Sequence, residues 1–288
     1  MSNIEICFDL SGVKIFMLKS ILDEEKLKLL EGQFVDKFSL VLDYDADVFD
    51  ETGKMLLRFR KNVLDKKKAE EARSALQNYV ENCTDRRTIS SGEKGKKRSR
   101  PVKSNIIGFM DSHSIAAIHS AKINKRVPPD AKHPRLCAWN RHNPDAFNKI
   151  IPYIEEIDEQ YKRLCPIEYE SQREGAEFCE PYRISKTAFS TVTINKNYRT
   201  ACHYDKGDWT KGFGNLTVFE KGKYEGGITG FPEYGIGVDV RSGDFLAMNV
   251  HKLHCNTPIV GEGDYERISF VSYLREGIFK KLSKLRDS

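Results

Sequence analysis

Apolar positions recur at two spacings along this chain, and the spacing changes near residue 182. Ahead of that point most of the pattern is helical. Residues 23–38 carry Leu27, Leu29, Leu30 and Phe34 at roughly helical intervals, which predicts a helix. Asp65 is placed to cap a second helix over 66–82, with Ala69, Ala72, Leu76, Tyr79 and Val80 on one face. Asn143-Pro144-Asp145 reads as a further helix start, with Asn143 as cap and Pro144 in the first helical position. Phe147, Ile150 and Ile151 follow. Pro152 is expected to restart the helix, which then carries Ile154, Ile157, Tyr161 and Leu164. Residues 4–8 and 13–17 are candidate short strands.

After Tyr182 the runs shorten and become β-prone, over 189–195, 214–220, 235–240, 244–250 and 266–274. Gly226-Gly227, Pro232, Gly243, Pro258 and Gly261 punctuate them. Short strands at such intervals predict a sandwich or barrel. Helices first and strands later is an α+β order, without βαβ alternation. There is no internal repeat. The expected organisation is an N-terminal mixed α/β extension over 1–104 and a core over 105–288, together one compact unit.

Composition narrows the class. A chain of 288 residues with 39% hydrophobic and 31% charged residues can bury one sizeable core. The net charge of +5 is too mild to imply a nucleic-acid partner by itself. Seven cysteines, an odd number with no CxxC pair, argue against a disulfide scaffold and for a reducing, intracellular compartment, cytoplasmic or nuclear. The first residues lack the basic start and apolar run of a signal peptide. Nothing approaches the roughly 20 apolar residues that span a bilayer.

One segment departs from the average. Residues 86–103 read RRTISSGEKGKKRSRPVK, dense in cations and nearly free of apolar side chains. They are expected to form a long mobile loop. A solvated surface and a phosphate-contacting arm both fit it; Lys94, Lys96, Lys97, Arg98 and Arg100 are the candidate contacts.

The chemistry begins at Cys202-His203-Tyr204-Asp205. On an extended strand, residues i and i+2 share a face, so His203 and Asp205 present an imidazole and a carboxylate together. His254 follows near the end of another candidate strand. Arg267 and Ser269 share the polar face of the strand over 266–274, and an arginine facing a barrel interior needs an anion. A guanidinium fork matches a carboxylate in two-point geometry. Two histidines and one carboxylate form the facial triad of non-haem iron oxygenases, with positions left open for 2-oxoglutarate and dioxygen (O2). His203, Asp205 and His254 are therefore the candidate Fe(II) ligands, and Arg267 with Ser269 the candidate 2-oxoglutarate site. His251 is the nearest rival to His254. A zinc site of Cys202, His203, His254 and Cys255 fits less well, because adjacent strand residues diverge.

These motifs resemble a known group. Phe189-Ser190-Thr191-Val192-Thr193, His203-Tyr204-Asp205, Gly214-Asn215-Leu216-Thr217-Val218, His254-Cys255-Asn256-Thr257-Pro258 and Arg267-Ile268-Ser269-Phe270 are similar to the core of the TET and J-binding-protein (JBP) oxygenases. The likeness covers roughly residues 105–275. It implies a double-stranded β-helix, a distorted jelly roll of cupin-like type, with flanking helices. It implies His203, Asp205 and His254 as iron ligands, and Arg267, helped by Ser269, at the distal carboxylate of 2-oxoglutarate. It also implies oxidation of the 5-methyl group of thymine or 5-methylcytosine in DNA or RNA. There is no cysteine-rich zinc region of the TET kind, and no room for a separate J-base-binding domain.

Three further residues stand out. Asn195 and Arg199 precede the HxD motif and are candidate cosubstrate contacts; for Arg199 a phosphate or acidic neighbours serve equally well. Trp209 can stack on a base or pack as part of a lid. Two other functions remain open: an Fe(II)/2-oxoglutarate hydroxylase of a small molecule or protein side chain, and a silent binding module. The complete triad with Arg267 argues against the second.

Overall fold

The computed structural model describes residues 4–7, 12–86, 88–92, 100–111 and 133–286. Among these, the largest sheet has ten strands. Its order is Ile4–Cys7, Lys14–Leu18, Ala46–Asp50, Met55–Arg60, Phe245–Met248, Gly214–Lys221, Glu266–Tyr273, Thr191–Lys196, Ser104–Met110 and Arg135–Leu136. A four-stranded sheet, Cys255–Asn256, Thr229–Phe231, Ile236–Val238 and Leu40–Leu42, lies against it. Strands from the first hundred residues thus extend both sheets.

Alternation along the strands decides what each face buries. In Glu266–Tyr273, Ile268 and Phe270 join the core that packs the sheet on the helices, with Phe219, Phe245, Tyr153 and Ile157. Leu216, Val218, Leu246 and Met248 face the other way and meet Phe231, Ile236 and Val238 of the small sheet. This is the sandwich that the strand spacing predicts, in the form of the double-stranded β-helix with flanking helices that the resemblance implies.

Several boundaries differ from the sequence expectation. The first helix is only Glu24–Leu30, capped by Asp23, whose carboxylate accepts from Lys26 N at 2.8 Å. Gly32 ends it at φ +90° and donates to the Cys202 carbonyl at 2.8 Å, while Cys202 N donates to Gln33 O at 2.8 Å. Tertiary pairing therefore overrides the helical spacing of residues 31–38. Asp65 caps Lys66–Leu76 as expected, accepting from Lys68 N at 2.9 Å. The turn Tyr79–Glu81 that follows is 3-10 rather than α.

Pro152 does not restart a helix; it sits inside one continuous helix, Pro144–Leu164. A proline costs a helix interior about 3 kcal/mol. Burial of Ile150, Tyr153, Ile154, Ile157 and Tyr161 on this helix outweighs that, at roughly 1.5–3 kcal/mol per large apolar side chain. Asn143 precedes the helix but does not cap it through its side chain; its Nδ2 instead donates to Trp139 O at 2.9 Å.

The basic segment is more structured at its ends than expected. Thr84–Arg86 pairs with Arg100–Val102, and Ile89–Ser91 forms a 3-10 turn. Ser90 O accepts from Ala201 N at 2.8 Å, which ties this turn to the residues leading into the HxD motif. Lys94, Lys96, Lys97 and Arg98 lie outside the described residues, and Arg100 is described only as strand backbone.

Candidate active site

The HxD motif does not lie in a regular strand, as the sequence suggested. His203 instead makes an isolated antiparallel bridge with His254. His203 N donates to His254 O, and His254 N to His203 O, each at 3.0 Å. Asp205 N donates to Val250 O at 3.0 Å. This local pairing achieves what a strand would have done. It carries both imidazoles and the carboxylate to one side.

The ligand atoms of His203, Asp205 and His254 lie within 4.8 Å of one another. Asp205 Oδ1 is 3.6 Å from His203 Nε2, and Oδ2 is 3.4 Å from His254 Nε2. Nδ1 of His203 pairs with Ala201 O at 2.7 Å, and Nδ1 of His254 with Lys252 O at 2.9 Å. A carbonyl only accepts, so each Nδ1 carries a proton; Nε2 of neutral His203 then offers a lone pair, and Nε2 of His254 offers one once the proton it shares with Asp205 is lost. This donor set and tautomer suit a divalent iron.

Electrostatics separates the three groups. Burial, then the neighbouring His254, pushes His203 down to about 4, so its ring is neutral near pH 7. At the other two, burial opposes the net shift, acting to raise the Asp205 carboxyl and to lower the His254 imidazole. It is overcome at Asp205, where the His254 hydrogen bond and both histidine charges hold the carboxyl down at about 2. It is also overcome at His254, which the Asp205 hydrogen bond and charge raise above the ordinary imidazole value.

The cluster opens onto a cavity of about 400 Å³ lined also by Thr193, Asn195, Asp208, Thr229, Ser269 and Tyr273. Asn195 Nδ2 donates to Ser269 Oγ at 3.2 Å, which leaves Asn195 Oδ1 without a partner. Arg267, two residues along from Ser269, is only 2% exposed, and its Nε and Nη2 have no hydrogen-bond partner. The nearby anions are already engaged: Arg241 pairs with Asp239 at 2.7 Å and with Glu220 at 3.5 Å. A buried guanidinium with two idle N–H groups suits a carboxylate ligand.

The other predicted residues fall elsewhere. Arg199 is turned away from the cavity; it pairs with Asp36 and lies 4.7 Å over the Phe34 ring. Of the readings open for it, the structure shows the acidic neighbour. Trp209 packs edge-on against Phe279, its ring centroid 4.9 Å away, and Nε1 donates to Ser171 Oγ at 3.3 Å. It is a packing residue in this structure, not a stacking platform. His251 points its Nε2 at Trp209 O, 3.1 Å away, and lies outside the cluster. Cys202 and Cys255 form a small apolar cluster with Leu253, apart from the cluster of His203, Asp205 and His254.

Some cavity residues escaped the sequence reading. Asp208 is a buried acid whose carboxyl is raised well above the usual range, first by burial and then by the Asp205 charge. Thr193 Oγ1 and Tyr273 Oη lie 3.2 Å apart. Period-two alternation from Asn195 and from Ser269 would have pointed to Thr193 and Tyr273.

Two packed sheets with a His–Asp–His cluster at the cavity between them define the class of double-stranded β-helix oxygenases. The chain belongs to the Tet_JBP family, the oxygenase domain of the 2OGFeDO superfamily, whose model matches residues 119–276. It is 29% identical over 277 residues to the bifunctional helicase and thymine dioxygenase JBP2 of Trypanosoma brucei brucei, covering 94% of this chain and 23% of that protein. It is 32% identical over 186 residues to JBP2 of Leishmania infantum, covering 64% of this chain and 16% of that one. The chain thus spans between about a sixth and a quarter of these curated relatives. The structure of NgTET1 in complex with 5mC DNA shares the fold, with a TM-score of 0.56 at 14% identity, covering 93% of this chain and 100% of that one. Among the described residues no helix is long and apolar enough to cross a membrane.

Proposed function

We propose that this chain oxidises the 5-methyl group of a pyrimidine base, thymine or 5-methylcytosine, in DNA. The observation that carries this reading is the convergence of His203, Asp205 and His254 at the wall of a cavity of about 400 Å³, in a chain of this family. The relatives named thymine dioxygenases, and the shared fold of a protein bound to 5mC DNA, support DNA over RNA as the partner.

His203, Asp205 and His254 would hold Fe(II). Arg267, beside Ser269 and Asn195, would take the distal carboxylate of 2-oxoglutarate. Bound together, iron and 2-oxoglutarate supply the activation of O2 that places one oxygen atom in a C–H bond. The chain's own residues do the rest. Their Nδ1–H bonds fix the ring orientations of His203 and His254. Thr193, Tyr273 and Asp208 form part of the wall against which a base would be held. A cavity of about 400 Å³ takes a single base, not a duplex, so the target base must leave the stack. The basic residues 86–103 would add phosphate contacts, and the extension over 1–104 would act with the core as one unit.

The test is 2-oxoglutarate decarboxylation with and without oligonucleotides. Methylated DNA should stimulate it, and the same sequence lacking the methyl group should not. Equal rates with both would turn the reading toward a small-molecule or protein hydroxylase.

A further inference from the structure

The bridge between His203 and His254 has a second consequence on its other side. Cys202 precedes one ligand in the chain and Cys255 follows the other, so the two cysteines flank the bridge in the same direction. Positions flanking a doubly hydrogen-bonded pair in an antiparallel ladder have Cα atoms about 4.5 Å apart. A disulfide spans roughly 4.4–6.8 Å. Both thiols are wholly buried, at 0% and 1% exposure, and lie close enough for each to act on the other's proton. Leu253 shares their cluster, and Leu27, Leu30, Val35 and Phe38 pack against it. Of the other buried cysteines, Cys165 has a methionine sulfur, Met55 Sδ, at 3.9 Å.

We propose that Cys202 and Cys255 are a redox modification site, closed to a disulfide by hydrogen peroxide, directly behind the two histidines of the iron site. The step balances with peroxide as the oxidant. One thiol sulfur attacks a peroxide oxygen, the O–O bond breaks, water leaves and a sulfenic acid remains. The second sulfur attacks the first, the S–O bond breaks and a second water leaves. Two thiols lose two electrons and two protons in all. Peroxide is little larger than water, so it can reach a site closed to bulkier disulfide reagents. The product would lock the backbones of the two ligand histidines at their paired spacing without using either imidazole. This inference does not depend on the substrate assigned above.

The test is peptide mapping of the purified chain, freed of iron with a chelator and exposed to hydrogen peroxide. Denaturation in an alkylating agent and trypsin digestion without reductant follow. Cleavage after Arg199, Lys206, Lys252 and Arg267 places the two cysteines in peptides 200–206 and 253–267. The expected result is one joined species, lighter than the sum of the two peptides by two hydrogens and separated by reductant. It should be absent from untreated protein and from Cys202→Ser. Recovery of the two peptides apart, alkylated or carrying sulfinic acid, would overturn the proposal. So would a bond from either cysteine to a different one. The wild-type map decides the matter even if the serine variant fails to fold.

Discussion

His203 and His254 exchange both of their backbone hydrogen bonds, at 3.0 Å each way, and this places their rings with centroids 4.4 Å apart. The ligand geometry is therefore set by main-chain pairing, and removing a ligand side chain leaves that pairing intact. His203→Ala or Asp205→Ala should abolish succinate formation from 2-oxoglutarate while the circular dichroism spectrum is retained. His251→Ala should keep substantial activity, because its ring contacts Trp209 O outside the cluster. Full turnover by either ligand variant would contradict the assignment.

Iron binding should depend on pH through His254. Its value is raised above 6.5, so more than half of it is protonated at pH 6.5 in metal-free protein, whereas His203, at about 4, is already neutral. A metal must displace that proton. Affinity should therefore rise with pH until His254 is neutral, and fall as pH drops below its raised value. Calorimetric titration with Mn(II) in two buffers of different ionisation enthalpy should show more than half a proton released per metal at pH 6.5, and less as the pH rises. No release at pH 6.5 would contradict the order of these two histidines.

Arg267→Ala should weaken 2-oxoglutarate binding by about 2–5 kcal/mol, the scale for breaking a buried, hydrogen-bonded charge pair. Gly227→Ala should act in the same direction. Gly227 has φ +68°, and a Cβ there would come within 2.6 Å of Arg267 Cδ and Nε. A 2-oxoglutarate titration of both variants checks this; unchanged affinity for Arg267→Ala would remove it from the site.

Much of this site was legible because its ingredients are local. HxD, a later histidine and Arg-x-Ser each sit within a few residues, and period two explains which of them share a face. The fold class followed from helical spacing before residue 182 and short β-prone runs after it. What could not be read were features fixed by distant partners. The helix over residues 23–38 stops early because Gly32 and Gln33 pair with Cys202. Arg199 is drawn off by Asp36 and Phe34. Asp208 reaches the cavity through a bridge to Arg275, far away in sequence. Pro152 marks a break by local rules, yet its helix runs on continuously, with its apolar face packed against the sheet.

The basic segment should contribute affinity without base choice, because phosphate contacts carry no sequence information. Neutralising Lys94, Lys96, Lys97, Arg98 and Arg100 together should weaken binding to all DNA sequences alike and flatten its salt dependence. Turnover on saturating substrate should change little. A salt dependence equal to that of the unaltered chain would remove this segment from the interface.

The central claim is methyl oxidation on a base in DNA, and nucleoside mass spectrometry reads it directly. DNA containing thymine and 5-methylcytosine is incubated with the chain, Fe(II), 2-oxoglutarate and ascorbate, then digested to nucleosides. The account predicts a 5-hydroxymethyl nucleoside, formed only with 2-oxoglutarate present and absent with His203→Ala. Succinate production with no oxidised pyrimidine in any DNA offered would contradict it.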